Sequence, residues 1–122
     1  MDSTVFIEAS HFSYSEAYSA ENPTPNIDGS FISVQTQSKL SLKDCSFVNG
    51  FGAKGGAIAF LGYSWNFISG CRFQGNEAWD KGGAIYGYNY VKLELKNTEF
   101  EGNREINKGD GNSIYSTSPS VE

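Results

Sequence analysis

Apolar side chains recur at every second position in short runs along this chain: Ile32 and Val34, Leu40 and Leu42, Cys45 and Phe47, Ile58 and Phe60, Cys71 and Phe73, Leu93 and Leu95. Alternation with period two turns one face of an extended strand toward a core. No window keeps apolar residues at i, i+3, i+4 and i+7 together with capping residues, so the pattern predicts strands and no helix.

The runs are not independent. Three segments align, from Gly29 through Leu42 to Phe47, from Gly55 through Ile68 to Phe73, and from Gly82 through Leu95 to Phe100, with the Phe 18 positions after the Gly in each. The full period is 26 residues from Phe47 to Phe73 and 27 from Phe73 to Phe100, with the slack between the Phe and the next Gly. A degenerate copy precedes them, with Val5, Ile7, Ser10 and Phe12 in the places of Leu40, Leu42, Cys45 and Phe47. A last partial copy begins at Gly111 and reaches Ile114 and Tyr115.

Three short strands per copy cannot bury an apolar face alone, so the copies must stack. The expected fold is all-β, a parallel β-helix of four to five coils of roughly 26 residues, each residue lying on its counterpart one strand spacing away. One domain would cover residues 1–122, with a degenerate first coil at 4–28 carrying an inserted loop at 13–28, regular coils at 29–115 and a tail at 116–122. Inward rows would be Ile32/Ile58/Ile85, Leu42/Ile68/Leu95, Ser10/Cys45/Cys71/Thr98 and Phe12/Phe47/Phe73/Phe100. Asn49, Asn76 and Asn103, which follow the Phe residues, are expected to cap turns on backbone amides.

Charge narrows the partners. Nine basic against fourteen acidic side chains leave −5, the wrong sign for tracking a phosphate backbone, so nucleic acid is not an expected partner. Aromatics at 15% and charged residues at 19% exclude a disordered segment. No apolar stretch approaches the ~20 residues of a membrane span, and the first residues lack the basic and apolar regions of a secretory signal.

Gly55-Gly56-Ala57-Ile58 and Gly82-Gly83-Ala84-Ile85, each followed at a distance by Phe73-Gln74-Gly75-Asn76 and Phe100-Glu101-Gly102-Asn103, resemble the repeats of the chlamydial polymorphic outer-membrane proteins and related pectin-lyase-like proteins. The resemblance spans roughly residues 29–115 and implies a right-handed parallel β-helix. Two copies depart from it: Phe47-Val48-Asn49-Gly50 reads as one residue short, and Gly29-Ser30-Phe31-Ile32 lacks the second Gly and the Ala. It further implies an extracellular or cell-surface location and a role as passenger, adhesin or fibre part more than as enzyme.

Candidate chemistry is sparse. His11, Ser46, Arg72 and Glu99 should stack outward, pairing Arg72 with Glu99. Lys54, Lys81 and Lys108 precede the Gly-rich turns and form a solvated rim eased by Glu77, Asp80 and Asp110, the alternative being an anion site. Gly109-Asp110-Gly111-Asn112 lacks the carboxylate spacing of a calcium loop and reads as a turn. Cys45 and Cys71 fall within disulfide reach, but as small inward residues they are expected to be free thiols. No metal or cofactor is expected.

The functional hint is aromatic: Tyr63, Trp65, Tyr86, Tyr88 and Tyr90 flank the turn after the first strand of a copy. They form either a band for stacking on a glycan or host protein, or a packed corner. The ends of a β-helix are edges that want partners. The expected role is therefore a non-catalytic structural or adhesive module, self-associating end to end or flanked by coils of a longer chain. The alternative is a module that binds or cleaves polysaccharide.

Overall fold

The computed structural model describes residues 3–16, 28–34, 38–88, 91–107 and 113–116. These residues are all-β, and every strand pairs parallel to its neighbours. The described residues make four passes. The first supplies β1 (Ser3–Glu8), β2 (His11–Glu16) and β3 (Ile32–Val34), and the second β4 (Ser38–Lys43), β5 (Ser46–Lys54) and β6 (Ile58–Leu61). The third supplies β7 (Ser64–Ser69), β8 (Arg72–Gln74), β9 (Glu77–Lys81) and β10 (Ile85–Tyr88). The fourth supplies β11 (Val91–Lys96), β12 (Glu99–Glu101), β13 (Arg104–Glu105) and β14 (Ile114–Ser116).

Three sheets result, and each pass visits them in the same order. The first sheet is β1-β4-β7-β11; the second joins β2 and β5 to the paired segments β8/β9 and β12/β13; the third is β3-β6-β10-β14. Segments β9 and β13 fall in the stretch between the Phe and the next Gly, where the repeat carries its slack. They are strands because the chain continues along the second sheet after the kink that follows each Phe.

The register agrees with the aligned repeats. Ile32 pairs Ile58, which pairs Ile85; Leu42 pairs Ile68, which pairs Leu95; and Phe12, Phe47, Phe73 and Phe100 follow one another. Val5 lies beside Leu40 and Ile7 beside Leu42, so the degenerate first copy keeps the pattern across an offset of 35 residues. Packing explains why these rows matter. Phe47, Phe73, Ile58, Ile68 and Ile85 are essentially inaccessible to solvent, and each such side chain stabilises the fold by about 1.5–3 kcal/mol through burial. The Phe rings stack with centroids 4.8, 4.8 and 5.0 Å apart along the row, the offset geometry that adds roughly 0.5–1.5 kcal/mol per pair.

Left-handed residues turn each pass. Ala9, Asp44, Gly70 and Asn97 all adopt φ between 48° and 64° at the corner between the first and second sheets. Asn49, Gly75 and Gly102 do so within the second sheet, at 60°, 64° and 66°. At the corner before the third sheet, Gly55 has φ 75°, and a Cβ there would lie 2.3 Å from the Ile58 carbonyl oxygen. Only glycine fits.

The asparagine row needs one correction. Asn76 and Asn103 are buried, and Asn103 Oδ1 accepts from both the backbone N–H and Nδ2 of Asn76 at 2.9 Å. Asn76 Oδ1 accepts from Gly50 N–H, and its Nδ2 donates to the Phe47 carbonyl. Asn49 is exposed and matches Gly75 at the kink, so Gly50 is the true counterpart of Asn76. Phe47-Val48-Asn49-Gly50 is thus not short: Phe51 still pairs Glu77 at the same 26-residue offset as Phe47 and Phe73. The extra residue of the longer period enters later, between the pairs Gly52/Ala78 and Lys54/Lys81.

A second buried polar device went unpredicted. Asn66 stands between Leu40 and Leu93 in an otherwise apolar row. It is fully buried, accepting from Leu40 N–H and donating to Ser64 Oγ and the Lys92 carbonyl. In both asparagines the amide spans neighbouring passes, satisfying backbone groups that would otherwise be costly inside.

Candidate functional site: the outer face of the first sheet

Alternation that buries Leu40, Leu42, Asn66, Ile68 and Leu93 turns the residues between them outward. Three outward rows cross the first sheet: Thr4, Lys39, Trp65 and Lys92; then Phe6, Ser41, Phe67 and Glu94; then Glu8, Lys43, Ser69 and Lys96. Trp65 and Phe67 are large apolar side chains left 43% and 40% exposed, with ring centroids 5.8 Å apart. Both stand on β7, their ring planes 29° apart.

Lysines flank Trp65 on both sides. The Lys39 ammonium lies 5.6 Å and that of Lys92 4.6 Å from the Trp65 ring centroid, one from each adjoining strand. Such contacts contribute roughly 0.5–1 kcal/mol at exposed sites and hold the ammonium groups near the ring. With Lys43 and Lys96, four of the seven lysines of an acidic chain face outward on this sheet, against Glu8 and Glu94. A recess of about 210 Å³ opens beside Phe67, lined by Phe67, Ile68, Ser69, Glu94 and Lys96.

The expected aromatic band divides. Trp65 belongs to this face and Tyr63 is exposed just before β7, whereas Tyr86 and Tyr88 lie on β10 in the third sheet. Tyr90 lies outside the described residues. Tyr86 is only 6% exposed, stacked on Tyr115 at 5.7 Å and near Tyr88 at 6.4 Å, so it closes a surface and presents none. Burial chiefly, then the neighbouring Tyr115, raises its phenol above the ordinary range. Tyr88 remains exposed.

Lys54 and Lys81 were expected to be eased by carboxylates. Their ammonium groups sit over tyrosine rings: Lys54 lies 5.5 Å from Tyr86, and Lys81 4.8 Å from Tyr115. Glu77 pairs with Arg104 instead. Lys108, Asp110 and the 109–112 turn lie outside the described residues, as does most of the expected insertion, 17–27. On the second sheet His11, Ser46, Arg72 and Glu99 do align in register, with His11 bonded to Ser46. The ion pair of Arg72, however, runs diagonally to Glu101, at 3.4 Å, and not straight across to Glu99. Both partners are exposed, so the pair adds little.

Cys45 and Cys71 are free and buried on adjacent passes. The Cys71 Sγ accepts from Cys45 N–H at 3.4 Å and donates to the Ser69 carbonyl at 3.3 Å. Burial, followed by the adjacent Cys45, pushes the Cys71 thiol up, the opposite of what a nucleophile requires. Among the described residues, no three His, Cys, Asp or Glu side chains group to hold a metal ion, and no helix is long and apolar enough to cross a membrane.

A recess lies at one edge of the sheets among the described residues. Val5, Ile7, Ile32, Val34 and Leu40 line this recess of about 350 Å³ beside β1 and β3. Phe6 on β1 is 75% exposed and Val5 47%.

The residues missed from the sequence are Lys39, Phe67, Ser69, Lys92, Glu94 and Lys96. Their signal lay in the repeat itself: positions 39, 65 and 92 differ by 26 and 27, the period already read from the Phe row.

Comparison with protein-family models, with curated proteins and with solved structures finds no match to this chain.

Proposed function

We propose that this chain is a right-handed parallel β-helix, a non-catalytic structural or adhesive module of the cell surface or extracellular space, whose ends receive further passes of the same kind. Parallel crossover connections are almost always right-handed, and the resemblance of the Gly-Gly-Ala-Ile and Phe-x-x-Asn motifs to outer-membrane protein repeats supports the location.

The observation that carries the reading is the match between the two edges. β1, β2 and β3 stand at one edge of the three sheets, and β11, β12/β13 and β14 at the other. Extending the register by one strand sets Leu95 against Ile7, Phe100 against Phe12, and Ile114 against Ile32 of a second copy. Each inward row then continues without a break. The outward rows match as well, with Lys96 against Glu8 and Glu99 against His11. Such a head-to-tail contact does not close on itself and generates a filament.

A non-catalytic role is supported by the two thiols, which are buried in packing, with that of Cys71 pushed up chiefly by burial. Sedimentation over a range of concentrations tests the proposal. Species that grow with concentration support it, and a monomer throughout overturns self-stacking.

A further inference from the structure

Given the head-to-tail stacking proposed above, on which this rests, we propose that a proton taken up at His11 strengthens the contact between copies, because His11 then meets Glu99 of the second copy as an ion pair. Copies join more tightly in mildly acidic surroundings than at neutral pH.

The two edges carry the charges for such a contact. The outward row of the second sheet runs His11, Ser46, Arg72 and Glu99, so its imidazole stands at one edge and its carboxylate at the other. Both side chains are exposed. Within one molecule they are three strand spacings, about 14 Å, apart, where salt largely screens one from the other. Extending the register by one strand brings their backbones to about 4.8 Å, and opposite charges on neighbouring strands attract there. Ser46 Oγ is bonded to His11 Nδ1 on the β5 side, which leaves Nε2 for a partner beyond the edge. A protonated imidazole donates from both nitrogens, to Ser46 Oγ at one and to the Glu99 carboxylate at the other.

The remaining charges around His11 are distant or engaged. On β5 the residues opposite are Ser46 and Val48, and Lys54 lies at the far end over the Tyr86 ring. Arg72 is two strands away and paired with Glu101. At the corner before β2, Glu8 lies beside Lys43, followed by Asp44 on the same pass as Lys43. Glu16 ends β2, about 17 Å along the strand. The second copy brings Glu99 directly opposite, Glu101 two residues further along β12, and Lys96, which meets Glu8.

Imidazole ordinarily gains its proton between about pH 5 and 8, and His11 is the single histidine of the chain. A facing carboxylate favours the protonated ring. The stacked form therefore holds a proton that separate copies release, and stacking tightens as pH falls through that range. Carboxylates and ammonium groups ordinarily titrate outside it, so the Glu8–Lys96 contact supplies salt dependence alone.

The test is sedimentation of the full chain at matched ionic strength, between about pH 7.5 and about pH 5.8. The concentration at which multimers form should fall about three-fold on acidification. His11→Gln should stack equally at both pH values, which separates His11 from a general loss of negative charge, and Glu99→Gln, at the opposite edge, should do the same. His11→Lys should stack at the higher pH as the parent does at the lower. Glu8→Gln should weaken stacking at both and keep the pH dependence. Circular dichroism of each variant checks the fold. Multimers of the parent that ignore pH, or a pH dependence that survives in folded His11→Gln or Glu99→Gln, overturn the role of His11 and leave stacking intact. A parent that stays monomeric at every pH overturns both.

Discussion

The rings of Phe47 and Phe73 are stacked, their centroids 4.8 Å apart and their planes 11° from parallel. Both are fully buried, and each is also stacked on its other side, Phe47 on Phe12 and Phe73 on Phe100. Removing Phe73 opens a gap between two rings held by neighbouring backbones, which cannot collapse to fill it. Phe73→Ala should therefore cost about 3–5 kcal/mol in urea unfolding. Phe100→Ala should cost clearly less, because Phe100 is only partly buried and stacks on one side.

Asn76 and Asn49 follow equivalent Phe residues and should respond in opposite ways. Asn76→Ala strands the Gly50 N–H and the Phe47 carbonyl inside the protein, with an expected loss of about 3 kcal/mol. Asn49 holds a left-handed kink at the surface, where the next pass has Gly75. Asn49→Gly should stay within about 0.5 kcal/mol of the parent. Denaturation midpoints of the two variants, measured side by side, check the contrast.

Alkaline pH should weaken the fold through its buried acids. The Cys71 thiol is raised from an ordinary 9.0 and the Tyr86 phenol from 10.0, in both cases chiefly by burial. Below these ordinary values both groups keep their protons, folded or unfolded, and their contribution to stability is complete. Above them the unfolded chain loses protons first, so stability falls as pH rises toward the folded values. Urea midpoints between about pH 7 and about pH 10.5 should be level at first and then decline. Cys71→Ser, which introduces the residue found at Ser10 in the same row, should flatten the earlier part of the decline. Alkylation of the native thiols should be slow until denaturant is added.

Much of the fold was legible because it repeats. An apolar residue at one place in a copy predicts its neighbours in the adjoining copies, and Ile58 finds Ile32 and Ile85 without any appeal to local propensity. Exceptions to the row pattern were harder to read. Asn66 interrupts Leu40 and Leu93, and a polar residue there looks outward until its three hydrogen bonds are seen. The corner occupied by Ala9, Asp44, Gly70 and Asn97 shares a backbone conformation and no side-chain type. Asn49 and Gly50 exchange the order of Gly75 and Asn76, and spacing alone could not distinguish an exchange from a deletion.

The aromatic site was half legible for a related reason. Trp65 stood out by residue type, but its separation from Tyr86 depends on which sheet each strand joins. Lys39 and Lys92 are ordinary surface lysines in the sequence, and they acquire a shared role only because the register carries both to the same ring.

End-to-end stacking is tested most directly by a cross-link that only the predicted register allows. Glu8 and Lys96 belong to one row of the first sheet at its two edges, three strand spacings or about 14 Å apart within one molecule, too far for a disulfide. Between stacked copies the same two positions fall about 4.8 Å apart, within disulfide range. Under mild oxidation, the Glu8→Cys/Lys96→Cys variant should give a ladder of disulfide-linked multimers, while the out-of-register Glu8→Cys/Lys92→Cys variant should not. A folded Glu8→Cys/Lys96→Cys protein that stays monomeric at high concentration, or equal ladders from both variants, would contradict the account.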